Sequence, residues 1–411
     1  MSIERKINRL WQLKTIYLEE IKYWIKSRST DVIIESQKNV ARILVRMVST
    51  KIIWILSKEY YEWLNPKKIL FIESSSKTDW FWFWDGIFKI PAIEALANHF
   101  SAEIDLICLE NRKEIFEWNP NINEIITTKW NSSIAQVSSI IEKLFFKKYD
   151  LVVSLSHGTK IWIIKLLTWI RTPYINEDIR EQEDNINHTK RNILALSKHI
   201  PDINKYLDNI PKLYISEEIK QYSKEKLKHI NGTKVAIFIW AINWLKDFKK
   251  WDEIINSLNE NNHWLEFILL WASKDKNQAD VLSSKFSNIH NFVWETSLKQ
   301  VYWLIDEMDL CIGSDWNLTN AAVALWKKLV AIFSIIEPDI IIWNQVKNVE
   351  KITWNCPVMT RCFKDNVGKK CLVTWQTNRN FSDTPPCLEN IDNKEIIINA
   401  EKFITNKKHI K

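Results

Sequence analysis

The feature that most constrains this chain is a pattern that runs through it twice: a short apolar run, an amphipathic segment, then another apolar run. In the first pass, residues 69–73, 104–109, 123–127 and 151–155 read as strands. Residues 87–99, 134–146 and 161–168 read as helices. A polar stretch, 176–187, reads as loop, and helices follow at 188–200 and 217–229. Asn231-Gly232 is a turn, and the alternation restarts there. Strands are expected at 234–239, 265–270, 291–293, 310–312 and 329–333, with helices at 252–259, 278–286, 298–305 and 320–325. Strands separated by helices of this length build parallel sheets covered on both faces. The expectation is an α/β protein of two Rossmann-like domains, residues 67–230 and 231–411, facing a cleft. Residues 1–66 form a separate helical extension.

Charge is spread unevenly over this plan. Residues 1–68 hold 14 Lys or Arg against 7 Asp or Glu, and the rest holds 43 of each. The net charge of +7 therefore sits in the extension and at its junction with the body. A neutral body argues against a nucleic-acid groove, and a basic extension favours anionic partners. The extension carries Val40, Ile43, Leu44, Met47, Val48 and Ile52 at helical spacing, with Arg42, Arg46 and Lys51 elsewhere. Two readings stand: packing against the body, or a basic amphipathic surface resting on an anionic membrane. The first apolar run is broken by Glu4, Arg5, Lys6 and Arg9, so no signal peptide is expected. No uninterrupted apolar stretch approaches the length of a membrane span. A cytoplasmic protein, peripheral at most on the inner face of the membrane, is the expectation.

One composition value bears on every turn. The chain has 5 Gly and 23 Trp, where average usage gives about 7% Gly, roughly 29 residues. Many of the Trp stand where a tight turn wants glycine. Trp80, Trp82 and Trp84 crowd the turn between the strand at 69–73 and the next helix. The reading adopted is that most of these Trp mark UGA codons that the source organism reads as glycine. A chain that stacks sugars on indoles is the rival.

Two segments carry chemistry. Trp84-Asp85-Gly86-Ile87-Phe88-Lys89-Ile90-Pro91 places a carboxylate where a strand meets a helix, at the mouth of an α/β sheet. Pro91 fits the helix's first turn, and Lys89 is expected to be exposed. In the second half a strand ends in Gly313-Ser314-Asp315, followed by Trp316-Asn317-Leu318-Thr319 and a small-residue helix, Asn320 to Leu325. Helix N-termini bind anions through free N–H groups. With glycine at Trp84, the first segment resembles the Gly-Asp-x5-Pro motif of glycosyltransferase family 9, the ADP-heptose:lipopolysaccharide heptosyltransferases. Asp315 to Lys328 resembles that family's second motif, with Trp326 at a glycine position. Asn119-Pro120-Asn121-Ile122-Asn123-Glu124-Ile125-Ile126, Tyr149-Asp150-Leu151-Val152-Val153 and Lys246-Asp247-Phe248 also look familial. Asn320 stands at a family His, Trp316 at a hydroxyl residue and Lys249 at a Pro.

The resemblance implies a GT-B fold and inverting transfer of a sugar, heptose from ADP-heptose, onto a lipid-linked glycan acceptor, with no cofactor and no metal. It implies Asp85 as catalytic base and a donor site of Lys246, Asn243, Trp240, Ser273, Asp315, Trp316, Asn317 and Asn320. Another nucleotide-sugar, or a non-catalytic carbohydrate-binding protein on the same fold, is the alternative. Simpler roles compete: helix capping for Asp85 and Asp315, solvation for Lys246, and structural or exposed positions for His157 and His188. Trp271-Ala272-Ser273 reads as a turn lining the nucleotide pocket. Cys108 and Cys311 read as core residues. Cys356, Cys362, Cys371 and Cys387 lack the close pairs of a zinc knuckle and read as ordinary thiols.

Overall fold

The computed structural model describes residues 65–73, 85–128, 144, 147–155, 174–177, 186–239, 246–270, 276–293, 295–315, 317–343, 345–354, 356 and 385–405. Residues 66–411 form one compact unit. The extension and the helices expected at 134–146 and 161–168 lie outside the described residues, apart from Leu144.

The first half runs β1 (Lys68–Ile72), α1 (Asp85–Phe100), β2 (Glu103–Leu109), a 3-10 turn (Glu110–Arg112), α2 (Lys113–Phe116), β3 (Ile122–Thr128), β4 (Leu151–Ser154) and β5 (Tyr174–Asn176). Then come α3 (His188–Ser197), a 3-10 segment (Pro201–Tyr206) and α4 (Glu217–Leu227). The second half runs β6 (Thr233–Phe238), α5 (Trp251–Asn261), β7 (Leu265–Leu269), α6 (Lys276–Lys285), β8 (Ile289–Asn291) and α7 (Leu298–Asp306). It continues with β9 (Leu310–Ser314), α8 (Asn317–Ala324), β10 (Leu329–Phe333), α9 (Pro338–Ile341), β11 (Val349–Thr353), α10 (Pro386–Glu389) and α11 (Asn393–Thr405).

Every strand pair in these two sheets is parallel. The orders are β3-β2-β1-β4-β5 and β11-β10-β9-β6-β7-β8. Both reverse direction beside their first strand, between β1 and β4 and between β6 and β9. That doubly wound order opens a crevice at the carboxyl ends of the strands. The strands are apolar along their length because both faces are covered. β4, β9 and β10 are buried at every residue.

One device recurs at the opposite, amino edge. Asp150 donates its amide N–H to the Lys68 carbonyl at 2.8 Å and accepts the Lys68 N–H on Oδ2 at 2.9 Å. Asp309 does the same to Lys234, at 2.9 Å in both directions. In each half an Asp-Leu step thus clasps the first strand at the point where the crossover strand enters. Asp105, buried in β2, is a second anchor at that edge. It accepts from Tyr149 Oη at 2.9 Å, Asn123 Nδ2 at 2.9 Å and Lys147 Nζ at 3.2 Å. Burial works to raise its pKa, but these donors hold it below the ordinary value.

Differences from the sequence reading are local. The strand expected at 291–293 is β8, two residues earlier. The helix expected from 320 begins at Asn317. β5 includes Asn176, the first residue of the expected loop, and β11 and α11 had no sequence reading. Pro91 is not in the first turn, because α1 starts at Asp85 and Pro91 lies inside the helix. There it gives no N–H to the Ile87 carbonyl, and a proline inside a helix favours a bend. Cys108 and Cys311 are fully buried in β2 and β9, as expected, and burial pushes the Cys311 thiol up to about 12. Trp326, just after α8, has φ 59° and is 53% exposed.

Candidate active site

The site is built from the strand ends beside the two crossover points. Asp315 directly follows β9, and its amide donates to the Ile332 carbonyl of β10 at 2.7 Å. Its carboxylate, 3% exposed, accepts from Lys246 Nζ at 2.6 Å. Lys246 comes from the connection after β6, the neighbouring strand across the crossover. Thr319 Oγ1 donates to the Ser314 carbonyl at 2.6 Å, tying the first turn of α8 to the end of β9. Asn317 and Asn320, three residues apart on that turn, both keep partial exposure. Gly313 lies so close to β6 that a Cβ there would come within 2.6 Å of the Phe238 ring. Lys246, Asp315, Asn317 and Asn320 therefore share one strand-end neighbourhood. Trp240, Asn243, Ser273 and Trp316 lie outside the described residues.

In the first half Asp85 is the opening residue of α1. Lys89, one turn later, is not exposed as the sequence reading had it. It is 4% exposed and donates to Glu73 Oε1 at 2.9 Å. Glu73 follows β1 and also takes a hydrogen bond from Arg112 Nη1. Burial works to raise the Glu73 pKa, but the Arg112 and Lys89 charges and hydrogen bonds hold it below its ordinary value. The sequence reading missed Glu73 and Arg112. The available signal was one carboxylate closing an apolar strand, with no indication of a partner 39 residues away.

His188 connects the two ends. Its ring meets Phe88 of α1 edge-on, centroids 5.3 Å apart. Asn192 Nδ2, one turn along α3, donates to the Phe88 carbonyl at 3.1 Å and to the His188 carbonyl at 2.9 Å. His188 keeps some exposure, yet burial of its ring pushes the pKa down to about 3, with further lowering by the charges of Arg191 and Lys246. The imidazole is neutral at pH 7 and sits within the field of Lys246. The first turn of α1, His188, Lys246 and Asp315 thus form one continuous neighbourhood. The two halves also meet where Leu213 donates its amide N–H to the Ala324 carbonyl at 2.9 Å and Asn187 Nδ2 donates to the Asp339 carbonyl at 3.0 Å.

Chemically, the arrangement offers a cation at a helix N-terminus for a phosphate and a carboxylate for a sugar hydroxyl. It also brings a second carboxylate-bearing turn from the other half. Among the described residues no group of three or more His, Cys, Asp or Glu could hold a metal ion. No helix among them is long and apolar enough to cross a membrane.

Comparison with known proteins gives the same direction. Residues 174–369 match the profile described as glycosyltransferase family 9 (heptosyltransferase). A family 9 glycosyl transferase from Veillonella parvula is 14% identical, covering 85% of this chain and 99% of its own, with a TM-score of 0.66. The ADP-heptose LPS heptosyltransferase II of E. coli is 17% identical, covering 83% and 99%, with a TM-score of 0.62. The E. coli heptosyltransferase WaaC, solved with ADP, is 17% identical, covering 69% and 92%, with a TM-score of 0.52. No curated protein sequence matches the chain. The two doubly wound sheets are those of a GT-B fold, and the match of residues 174–369 to glycosyltransferase family 9 identifies the chain as a glycosyltransferase.

Proposed function

We propose that this glycosyltransferase moves a heptose from ADP-heptose onto a lipid-linked glycan of the lipopolysaccharide type, with inversion at the anomeric carbon. The observation that carries this reading is the Lys246–Asp315 pair, set at the β6/β9 crossover inside the family-matched region. The E. coli relatives named as heptosyltransferases, one solved with ADP, support the donor.

The acceptor hydroxyl oxygen attacks the anomeric carbon while Asp85 takes its proton. The bond from that carbon to the diphosphate oxygen breaks, and the departing negative charge is met by Lys246 and the free N–H groups opening α8. Asp315, Asn317 and Asn320 hold the sugar for in-line attack. Trp240, Asn243, Ser273 and Trp316 complete the donor site, with glycine as the functional residue where the gene carries UGA. The scheme calls for no metal and no cofactor. The basic extension gives the enzyme a peripheral hold on an anionic inner membrane surface. Deleting residues 1–60 weakens vesicle binding if this is so, and unchanged binding removes that part of the reading.

The test is turnover with a panel of nucleotide-sugars, run beside Asp85→Asn. That variant keeps size and hydrogen bonding but loses the basic carboxylate. Turnover is expected to fall about 10²–10⁴-fold with donor affinity intact. Normal turnover leaves Asp85 a helix cap. Preference for a donor other than ADP-heptose replaces the sugar and keeps the fold-level function.

A further inference from the structure

The Glu73–Lys89–Arg112 cluster lies at the ligand end of the first sheet, and no step of the proposed transfer uses it. Its three ionisable side chains are 0%, 5% and 1% exposed. Glu73 Oε1 accepts from both cations, and among the described residues Glu73 Oε2 has no hydrogen-bond partner. Taking such charges out of water costs several kcal/mol per ion, on the order of what their attraction returns. Apolar side chains of the same volume would fill this space with no such penalty. The cluster is therefore not explained by stability.

What it does supply is direction. Glu73 closes β1, and its amide is fixed on the Ile107 carbonyl of β2 at 2.8 Å. Arg112 ends the 3-10 turn after β2, and Lys89 stands one turn past Asp85 on α1. Three elements meet on one oxygen, and charge-assisted hydrogen bonds are short and directional where apolar contact is not. Two other contacts seat the same turn. Gly86 lets α1 approach α2 so closely that a Cβ would come 3.0 Å from Ile115 Cδ1 and 3.2 Å from Phe116 Cζ. The Phe88 carbonyl is held by Asn192 of α3.

We propose that Glu73, Lys89 and Arg112 are positioning residues that hold the first turn of α1, and with it Asp85, in the place that transfer requires. The proposal rests on the reading of Asp85 as base. A base displaced by about 1 Å can cost on the order of 10²-fold in rate. The arrangement explains a buried lysine beside a reaction centre it does not enter.

The test replaces the whole cluster with apolar side chains, Glu73→Leu, Lys89→Met and Arg112→Leu together, in the full chain. Removing all three charges together leaves neither cation buried without the Glu73 carboxylate, so the melting temperature is expected to stay near that of the parent. ADP-heptose KM is expected within about twofold and kcat lower by about 10²-fold, with a lipopolysaccharide inner-core glycolipid as acceptor. Hydrogen exchange at the amides of residues 85–90, which needs no substrate, is expected to speed up, while Lys89→Arg retains most of the turnover. Unchanged kcat, or unchanged exchange at 85–90, in the folded triple variant overturns the proposal. Should the triple variant fail to fold, Lys89→Met alone is read by the same two measurements. Asp85→Asn run in parallel separates the two readings. Normal turnover there overturns the base and this proposal together. Low turnover there, beside normal turnover in the triple variant, overturns the positioning alone.

Discussion

Glu73 and Asp315 both close a strand at a crossover, the first strand in one half and the crossover strand in the other, and they are treated in opposite ways. Each is the residue after a strand beside a crossover, and each accepts from a lysine of another segment, Lys89 from α1 and Lys246 from the connection after β6. Glu73 is enclosed by two cations that are themselves buried. Among the described residues Asp315 has one, Lys246, whose side chain is 12% exposed. A doubly paired, sealed carboxylate has no partner to give up. On the proposed function, Lys246, the partner that reaches solvent, turns from Asp315 to the incoming diphosphate. On these proposals the first half holds a helix still, and the second exchanges one charge partner for another.

The largest effect expected from this contrast is on folding. Glu73→Leu leaves Lys89 and Arg112 in a dry site without the carboxylate they share and should cost about 3–5 kcal/mol, the range for breaking a buried pair, read by urea unfolding. Lys246→Ala should cost less in stability, since the space left by a side chain that is 12% exposed lets water in to the Asp315 carboxylate. It should lower kcat/KM by about 10²-fold, as loss of one charge-stabilising group does, with a smaller effect on binding of the free nucleoside. Equal stability losses in the two variants, or equal binding losses for nucleoside and nucleotide-sugar, would erase the contrast.

Acid should act next. Glu73 has its folded pKa below the ordinary 4.5, so the stability it contributes is present above that value and is lost as pH falls through the folded pKa. His188 has its folded pKa lowered from 6.5 to about 3. The unfolded chain therefore binds the extra proton first, and stability falls as pH drops from 6.5 toward 3. The melting temperature should decline in two stages on acidification, the His188 stage first. His188→Gln should flatten the upper stage and leave the lower one. A decline that begins only below pH 4.5 would contradict the His188 assignment.

The smallest effect sharpens the reading of the tryptophans, which we propose to divide into two sorts. Trp326 is exposed in a left-handed conformation that costs a non-glycine residue about 1–2 kcal/mol. Trp326→Gly should therefore stabilise by about that amount. Trp251 is fully buried in the second core, edge-on to Phe248 with centroids 5.0 Å apart. Trp251→Gly should instead cost at least the ~3–5 kcal/mol of a large-to-small core change. The gene should read TGA at 326 and TGG at 251, and TGG at 326 would remove glycine recoding from that site.

Much of the fold was legible because parallel strands buried on both faces are short apolar runs, and the helices between them keep their spacing. Asp315 and Lys246 were legible as strand-end residues in familiar motifs. Lys89 was not, since one lysine on an amphipathic helix reads as solvated unless its partners are known. Those partners, Glu73 and Arg112, come from other elements, and sequence periodicity carries no information about such meetings. The start of α8 at Asn317 was misplaced because Asn-Leu-Thr-Asn reads as turn, whereas Thr319 Oγ1 finds its acceptor on the Ser314 carbonyl and lets the helix begin early.

The paired Asp150 and Asp309 clasps have a consequence for how the chain reaches this structure. They join residues 82 and 75 positions apart, and neither crossover pairing forms until those long loops close. High contact order of this kind makes folding slow, because loop entropy is lost before contacts compensate it. Each clasp grips one residue of the central strand by both its N–H and its C=O. A slip of one residue would break both bonds and turn the strand's faces over. The two aspartates are therefore well placed to select the correct register early, during the step when two unfinished parallel sheets are most exposed to mispairing with other chains.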